Sequence, residues 1–223
     1  MATYIDIHDL GAHTLTDYKI GGTKVDTQVF AGRWRTNFDV LEAVPGLRAI
    51  SFTLVFTGKT RRDLVLNKSR VDAYLTGKCE LLMPDGMYYT CYTGSLGDLV
   101  IMGNDEHGVI GQAAYKMSGI AHGDLETTTG ANIFCRSTMP RTDCKVTCTA
   151  TADAAEYTVQ GVTFTGVSAG DVLCADGING RLLVNGAPAV NAVRFMSFPY
   201  LVPGWQTIEA PDAPTVEYYP AYI

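Results

Sequence analysis

Histidines and carboxylates are the side chains of this sequence that could support metal binding or acid–base chemistry, and they form two short clusters. Residues 6–9 read DIHD and residues 105–107 read DEH, whereas His13 and His122 stand alone. Mixed carboxylate and imidazole groups suit a divalent cation or proton transfer. They are equally typical of solvent-exposed turns. We prefer the exposed-turn interpretation, because no nucleophile with a recognisable local signature accompanies either cluster.

Phosphate-binding, dinucleotide-binding and zinc-protease motifs do not occur in the chain. It contains no Walker A loop, no G-x-G-x-x-G fingerprint and no H-E-x-x-H pair. The sequence therefore gives no positive argument for an enzyme, and it predicts a protein that needs no cofactor or metal.

Six cysteines raise the question of disulfides or a metal site. Cys144 and Cys148 lie in an alternating segment, so on a strand they share a face but are too far apart to bridge each other. Cys79 and Cys91 would face each other across a hairpin with a three-residue loop and could cross-link. No second Cys/His pair at finger spacing supports zinc. Buried free thiols are the preferred interpretation.

Two other groups are candidates for recognition. Trp205 follows Pro203-Gly204 in a predicted loop, where an exposed indole could stack on a sugar ring, but we expect it to plug the end of a β-sandwich. Four cations could bind phosphate, an acidic neighbouring subunit or only solvent: Arg61, Arg62, Lys68 and Arg70. On an acidic protein we favour the neighbouring subunit.

The element that carries these cations is the only convincing helix pattern in the sequence. Residues 50–57 alternate as a half-buried strand and lead into it. Thr60 is the predicted N-cap, Asp63 complements the first turn, and Gly77 ends the helix. The helix has a narrow apolar stripe at Leu64, Val71 and Leu75. A β-hairpin with the turn Pro84-Asp85-Gly86 follows.

Composition limits the class of protein. The chain has 223 residues, of which 47% are hydrophobic and 18% are charged, so it is predicted to be folded. Its net charge of −6 argues against a nucleic-acid binder. The chain contains no run of about 18 apolar residues, so no membrane span is predicted. The N-terminal residues are acidic and include no apolar stretch, so no signal peptide is predicted.

The organisation predicted along the chain is two β-rich domains, residues 1–132 and 133–223. Glycine and proline pairs at residues 21–22 and 45–46 predict turns in the first half. The polar, glycine-bounded segment 121–130 reads as a linker. Beyond it, short strands at eight- to twelve-residue spacing with Gly- or Pro-marked turns are typical of a β-sandwich.

Several sequence blocks, in order, resemble the distal tail protein of long-tailed phages. The first runs from residue 56 to residue 92 (FTGKTRRDLVLNKSRVDAYLTGKCELLMPDGMYYTCY). The others are residues 137–147 (STMPRTDCKVT), 170–188 (GDVLCADGINGRLLVNGAP) and the C-terminal stretch from FPYLVPGWQTIEA to TVEYYPAYI. Trp205 stands where the family more often has Asn after Pro-Gly. Residues 21–44 do not align.

The resemblance implies a mainly β protein with an N-terminal belt domain, a β-sandwich or split barrel with one helix, and a C-terminal galectin-like β-sandwich. Six belt domains would close into a ring that joins the tail tube to the hub and receptor-binding assembly, with the galectin-like domains outside it. The basic helix would then contact either the neighbouring subunit of the ring or the tube. The implied partners are other copies of the chain, the tube and hub proteins, and also the tape measure and receptor-binding proteins. The implied location is the virion tail tip, after assembly in the host cytoplasm. A carbohydrate-binding module for host-surface recognition is the alternative function.

Overall fold

The chain forms two compact units. The computed structural model describes residues 13–31, 38–105, 108–189 and 192–223. The first unit extends to His122 and also includes Ile223, and the second runs from Gly123 to Tyr222. The second unit thus begins at Gly123 and not at residue 133, because residues 126–129 of the expected linker form a strand that pairs with Thr215–Tyr218.

The first unit contains one helix and long strands in its described residues. In chain order these are β1 (His13–Ala31), β2 (Phe38–Gly58), α1 (Arg61–Leu75), β3 (Lys78–Leu82), β4 (Tyr88–Leu96), β5 (Val100–Asp105) and β6 (Gly108–His122). The strands pair antiparallel in the order β1-β2-β6-β4-β3, and β5 pairs with β6 beyond the end of β4. Strand β6 is therefore the centre of the sheet.

The β1–β2 hairpin extends past the rest of this sheet. Pairing of β2 with β6 runs from Gly58 back to Arg48, whereas pairing of β2 with β1 continues to Phe38. Residues 25–31 and 38–45 consequently form a two-stranded ribbon with no third strand among the described residues, and we call this ribbon the arm.

The core of the first unit lies between its sheet and α1. The alternation expected for residues 50–57 is confirmed, because Ile50, Phe52, Leu54 and Phe56 are all buried. The stripe of the helix is buried in the same way, at Leu64, Val71 and Leu75. Burial of a side chain of this size contributes about 1.5–3 kcal/mol, so this apolar layer is what holds the amphipathic helix on the sheet.

The second unit is built from short strands. They are β7 (Glu126–Thr129), β8 (Asn132–Cys135), β9 (Thr142–Thr149), β10 (Ala154–Val159), β11 (Val162–Val167), β12 (Val172–Asp176), β13 (Arg181–Val184), β14 (Ala187–Pro188), β15 (Val193–Phe195), β16 (Tyr200–Leu201), β17 (Gly204–Thr207), β18 (Thr215–Tyr218) and β19 (Ala221–Tyr222). The main sheet has the order β14-β13-β12-β9-β18-β7, with β16 also paired to β9. A smaller sheet has the order β10-β11-β15, and β17 pairs with β8 as a ribbon.

One apolar core joins the two larger sheets of the second unit. Val146, Leu173 and Val216 of the main sheet belong to the same buried cluster as Val159 and Phe164 of the smaller sheet. Two sheets that bury one shared layer form a β-sandwich. The predicted fold class, mainly β with one helix, is thus confirmed for the described residues.

The described residues contain no helix with the length and hydropathy of a membrane span.

Candidate interaction surfaces

Helix α1 begins where the sequence predicts. The Thr60 Oγ1 accepts the Asp63 N–H at 3.2 Å, and the Asp63 Oδ2 accepts the Thr60 N–H at 3.0 Å, which is a complete capping box. The buried stripe of Leu64, Val71 and Leu75 sets which side of the helix faces the sheet. It leaves Arg61, Arg62 and Arg70 exposed to solvent.

Lys68 differs from the other three predicted interface cations. Its Nζ lies 2.5 Å from the Asp72 Oδ2, and its side chain is only 13% exposed. The same Nζ lies 5.8 Å from the centroid of the Tyr115 ring, a cation–π distance. Lys68 therefore contributes to holding α1 on β6, whereas the three arginines remain available to a partner.

Asp72 also anchors the helix through Tyr115, a fully buried residue of β6. The Tyr115 Oη donates to the Asp72 Oδ1 at 2.9 Å. Burial raises the pKa of the Tyr115 phenol well above its ordinary value, and the hydrogen bond to Asp72 raises it further. Tyr115 thus acts as a neutral donor to the carboxylate.

A groove of about 620 Å³ lies along α1 between Asp63 and Arg70. Lys59 and Arg70 contribute positive charge to its wall and Asp63 contributes negative charge. Leu66 and Ile110 add exposed apolar surface. Gly108 allows the close approach of strands on this side, because a Cβ there would lie 2.6 Å from the Gly58 carbonyl oxygen. We call this surface the helix groove.

The edge strand β5 has an apolar surface that the sequence analysis did not identify. Val100, Ile101 and Met102 are exposed, and the described residues offer no strand that pairs with the outer edge of β5. Such an edge favours pairing or packing with another chain. The signal in the sequence is the unbroken apolar run at residues 99–102, because a strand with one solvated face leaves alternate residues of such a run exposed.

Trp205 does not plug the sandwich, so that prediction is wrong. Its side chain is 76% exposed. It lies directly opposite Phe134 in the β8–β17 ribbon, and the two rings meet at 5.4 Å with an interplanar angle of 63°. The reason is strand alternation: Ile133 and Cys135 occupy the inner face of the ribbon and fill the core in place of the indole.

The predicted acid–base clusters are mostly outside the described residues. Residues 6–9, Glu106, His107 and Trp34 all lie outside them, and so do the side chains of His13 and Asp105. His122 is buried and stacks on Tyr88 with a centroid distance of 5.7 Å. Within the described ranges, no cluster of His, Cys, Asp and Glu could hold a metal ion.

The six cysteines are buried free thiols. Cys79 lies opposite Cys91 in the β3–β4 register, as expected for the hairpin. Burial raises the pKa of Cys79 to about 11 and that of Cys91 to about 12. Both thiols are therefore protonated at neutral pH and are poor nucleophiles.

The letters GVSAG at residues 166–170 match the G-x-S-x-G pattern of a hydrolase nucleophile elbow. That elbow requires a helix directly after the serine. Ser168 instead lies in the connection between β11 and β12, and its N–H donates to the Asp171 Oδ2 at 2.8 Å. The match lacks the structural context of a catalytic serine.

Charge is distributed unequally between the two units. Residues 1–122 contain 12 Lys and Arg against 13 Asp and Glu, whereas residues 123–223 contain 5 against 10. The second unit thus has a net charge of −5 and the first of −1. The cations of α1 belong to the nearly neutral unit, and acidic surface is available on the other.

Comparisons with known proteins give a result at the level of structure alone. No family model and no curated protein matches the sequence. The crystal structure of the Dit protein of phage SPP1, described as a paradigm of the hub adsorption apparatus in phages that infect Gram-positive bacteria, matches with a TM-score of 0.69 and 11% identity. The match covers 97% of this chain and 96% of that chain.

A second solved structure agrees with the first. A chain of the phage P2 baseplate in its activated conformation with Ca matches with a TM-score of 0.55 and 9% identity, over 94% of this chain and 90% of that one. The baseplate with Sr gives a TM-score of 0.54. Over nearly its whole length, the chain therefore has the fold of a phage distal tail protein.

Proposed function

We propose that this chain is a structural subunit of a phage tail tip, of which six copies form a ring that joins the tail tube to the hub and receptor-binding assembly. The observation that carries the proposal is the fold match over both units, 97% of the chain, to a protein of a hub adsorption apparatus. A likeness confined to one β-sandwich would be much weaker support, because sandwiches serve many unrelated functions.

The surfaces of the first unit fit this role. A cyclic ring requires heterologous contacts, in which one face of a subunit meets a different face of its neighbour. The helix groove, together with Arg61, Arg62 and Arg70, is our candidate for one such face. The arm, with Val25 and Val44 exposed, is our candidate for the other. No catalytic step and no cofactor enters the proposal.

The proposed partners are other copies of the chain, the tail tube protein and the tail hub protein, with the tape measure and receptor-binding proteins as further neighbours. The first unit, which corresponds to the predicted belt domain, would form the ring. The second, galectin-like unit would offer its surface to the rest of the tip. The proposed location is the tail tip of the virion, after assembly in the cytoplasm of the bacterial host.

The first test is the mass and symmetry of the purified chain. Light scattering should give about 145 kDa, six times the 24.1 kDa of one chain, and negative-stain images should show six-fold rings. A chain that stays monomeric at high concentration, together with isolated tails that contain no ring of this protein, would refute the proposal.

The second test addresses the contact. Arg61→Glu combined with Arg62→Glu should shift the ring towards monomer without changing the unfolding curve, because exposed charges contribute little to folding. Lys78→Glu combined with Arg181→Glu is the matched control, since it makes the same change in net charge at two other exposed positions. Equal assembly of both variants would show that Arg61 and Arg62 do not lie in the interface.

A further inference from the structure

The exposed side of the β8–β17 ribbon has side chains that the folding of the second unit does not use. Phe134 pairs with Trp205 in the register and Asn132 pairs with Thr207, so these four side chains share one face. Arg136, two residues after Phe134, continues this row. We call the five side chains the ribbon face. All five are exposed.

The two aromatic residues form a platform that is open to solvent. Trp205 is 76% exposed and Phe134 is 49% exposed, and the rings contact each other edge to face. Burial of the Trp205 indole therefore contributes little to folding, and half of the Phe134 side chain remains open to a ligand. Large aromatic side chains that remain exposed in contact with each other indicate a binding surface more often than isolated exposed apolar residues do.

Planar polar groups lie at both ends of this platform. At one end the Asn132 Oδ1 accepts a hydrogen bond from the Thr207 hydroxyl at 2.8 Å. This bond fixes the amide and points its NH₂ group away from Thr207. At the other end the Arg136 Nη1 lies 3.2 Å from the Glu126 Oε1. The Glu126 Oε2 in turn accepts the Tyr218 hydroxyl at 2.7 Å, so the carboxylate is held in place.

We infer that the ribbon face binds the pyranose ring of a neutral polysaccharide. The C–H groups on one side of a pyranose make a weakly apolar surface that stacks on an aromatic ring, while its equatorial hydroxyls accept from an amide or guanidinium and donate to a carboxylate. Residues 132 and 136 are about 13 Å apart along an extended chain, which is the length of two to three sugar rings. This ligand goes beyond the proposed structural function.

Charge and size favour a neutral polysaccharide over an acidic polysaccharide and over a protein partner. The second unit has a net charge of −5, so phosphate- or carboxylate-bearing polysaccharides would be repelled. A specific protein–protein interface needs about 800 Å² on each partner with an apolar centre. Two rings bordered by an amide, a hydroxyl and an ion pair match a sugar-sized site better.

The experiment uses the full-length chain and a defined set of probes. An array of neutral and acidic oligosaccharides would be screened first, followed by affinity electrophoresis in gels that contain dextran, galactomannan or a polyanionic control. Neutral glycans should bind and acidic ones should not. Replacing Trp34 by Phe leaves Trp205 as the single indole, so quenching or a shift of its fluorescence on adding the neutral glycan would report contact at the ribbon face.

Three substitutions complete the test. Trp205→Ala should weaken binding by about tenfold or more, and Phe134→Ala by less, since a stacked indole is the larger contact. Phe195→Ala is the matched control, because Phe195 is similarly exposed and contacts another ring, Phe198. Trp205→Ala should keep the wild-type thermal unfolding curve because the indole is 76% exposed, whereas Phe134→Ala and Phe195→Ala should lower the unfolding temperature by similar small amounts because each ring is about half exposed.

The inference is overturned if no neutral glycan binds, if only acidic glycans bind, or if Trp205→Ala binds as well as the wild type. It is also overturned if Trp205→Ala abolishes contact with another tail protein while no glycan binds, because the ribbon face would then be a protein interface. The mass of the same samples by light scattering reports ring formation separately, so loss of glycan binding and failure of the ring are distinguishable.

Discussion

The anchoring of α1 through Asp72 yields a quantitative prediction. Asp72 accepts a hydrogen bond from the buried Tyr115 hydroxyl at 2.9 Å and is paired with the mostly buried Lys68 ammonium at 2.5 Å. Asp72→Ala removes both contacts. An unsatisfied buried hydroxyl costs about 1–3 kcal/mol, and loss of a partly buried ion pair adds about 1 kcal/mol. We therefore expect the free energy of unfolding to fall by about 2–4 kcal/mol.

A double-mutant cycle separates the hydrogen bond from the rest of this change. Tyr115→Phe keeps the ring packed against Phe52 and removes only the hydroxyl, so it should cost about 1 kcal/mol. In the Tyr115→Phe background, Asp72→Ala no longer leaves a buried hydroxyl without an acceptor. Its effect should therefore be smaller than in the wild type, with a coupling of about 1–2 kcal/mol.

The measurement is urea unfolding of the four proteins of the cycle. Fluorescence and circular dichroism should be followed together, because the two compact units need not unfold in one transition. Only the transition of the first unit should shift. Additive effects, within about 0.5 kcal/mol, would show that Asp72 and Tyr115 are not coupled and would refute the account of how the helix is anchored.

Two further predictions concern stability. Gly108→Ala should lower the free energy of unfolding by about 1–3 kcal/mol, because φ is +136° and the new Cβ would meet the Gly58 carbonyl oxygen; Gly103→Ala, with no atom within 4 Å, is the neutral control, and equal stability of the two would contradict this. Stability should also fall as pH rises above about 9. Burial raises the pKa of Cys79 from 9.0 to about 11 and that of Tyr218 from 10.0 to about 12. As pH rises from the ordinary to the raised pKa of each group, the unfolded chain releases a proton that the folded chain retains. The free energy of unfolding therefore falls through this pH range. Urea unfolding at a series of pH values checks this, and a flat profile would contradict it.

Local chemistry determined the parts of the fold that the sequence predicted well. The Thr60–Asp63 capping box is contained within four residues, and so the start of α1 could be located from sequence. The Pro84-Asp85-Gly86 turn is equally local: Gly86 has φ +79° and its N–H donates to the Met83 carbonyl at 2.9 Å. Such contacts depend on neighbouring residues alone.

Pairing between distant segments explains the wrong predictions. Glycine and proline pairs at residues 21–22 and 45–46 predict turns, but they lie inside β1 and β2, where irregularities in the β1–β2 register accommodate them. The polar segment 126–129 predicts a linker, yet Glu126 pairs with Tyr218. Neither outcome is visible from a window of ten residues.

The hairpin β10–β11 has a turn that no Pro-Gly, Asn-Gly or Asp-Gly pair marks in the sequence. Its turn is Gln160-Gly161, with φ values of +45° and +77°. Positive φ at both central positions is typical of a two-residue type I′ turn, which usually has Asn or Asp where this chain has Gln. The unusual first residue is why the sequence pattern did not predict the turn.

The sequence shows which surface residues are charged or apolar, but not which of them contact the interior. Arg61 and Lys68 both appear in the sequence as cations of a helix with a narrow apolar stripe, but only the position of Asp72 and Tyr115 shows that Lys68 belongs to the interior contact. Trp205 appears in the sequence as a loop residue after Pro203-Gly204, and only its pairing with Phe134 and the packing of Ile133 into the core show that both rings face water.

Substitutions of buried contact residues and of exposed residues test different properties of the chain. Lys68 and Asp72 stabilise the fold, so changing them alters assembly through stability and cannot identify an interface. Arg61, Arg62 and Trp205 are exposed, so their replacement leaves folding nearly unchanged. A loss of ring formation or glycan binding in those variants, at unchanged unfolding free energy, therefore has to arise from a lost contact with a partner.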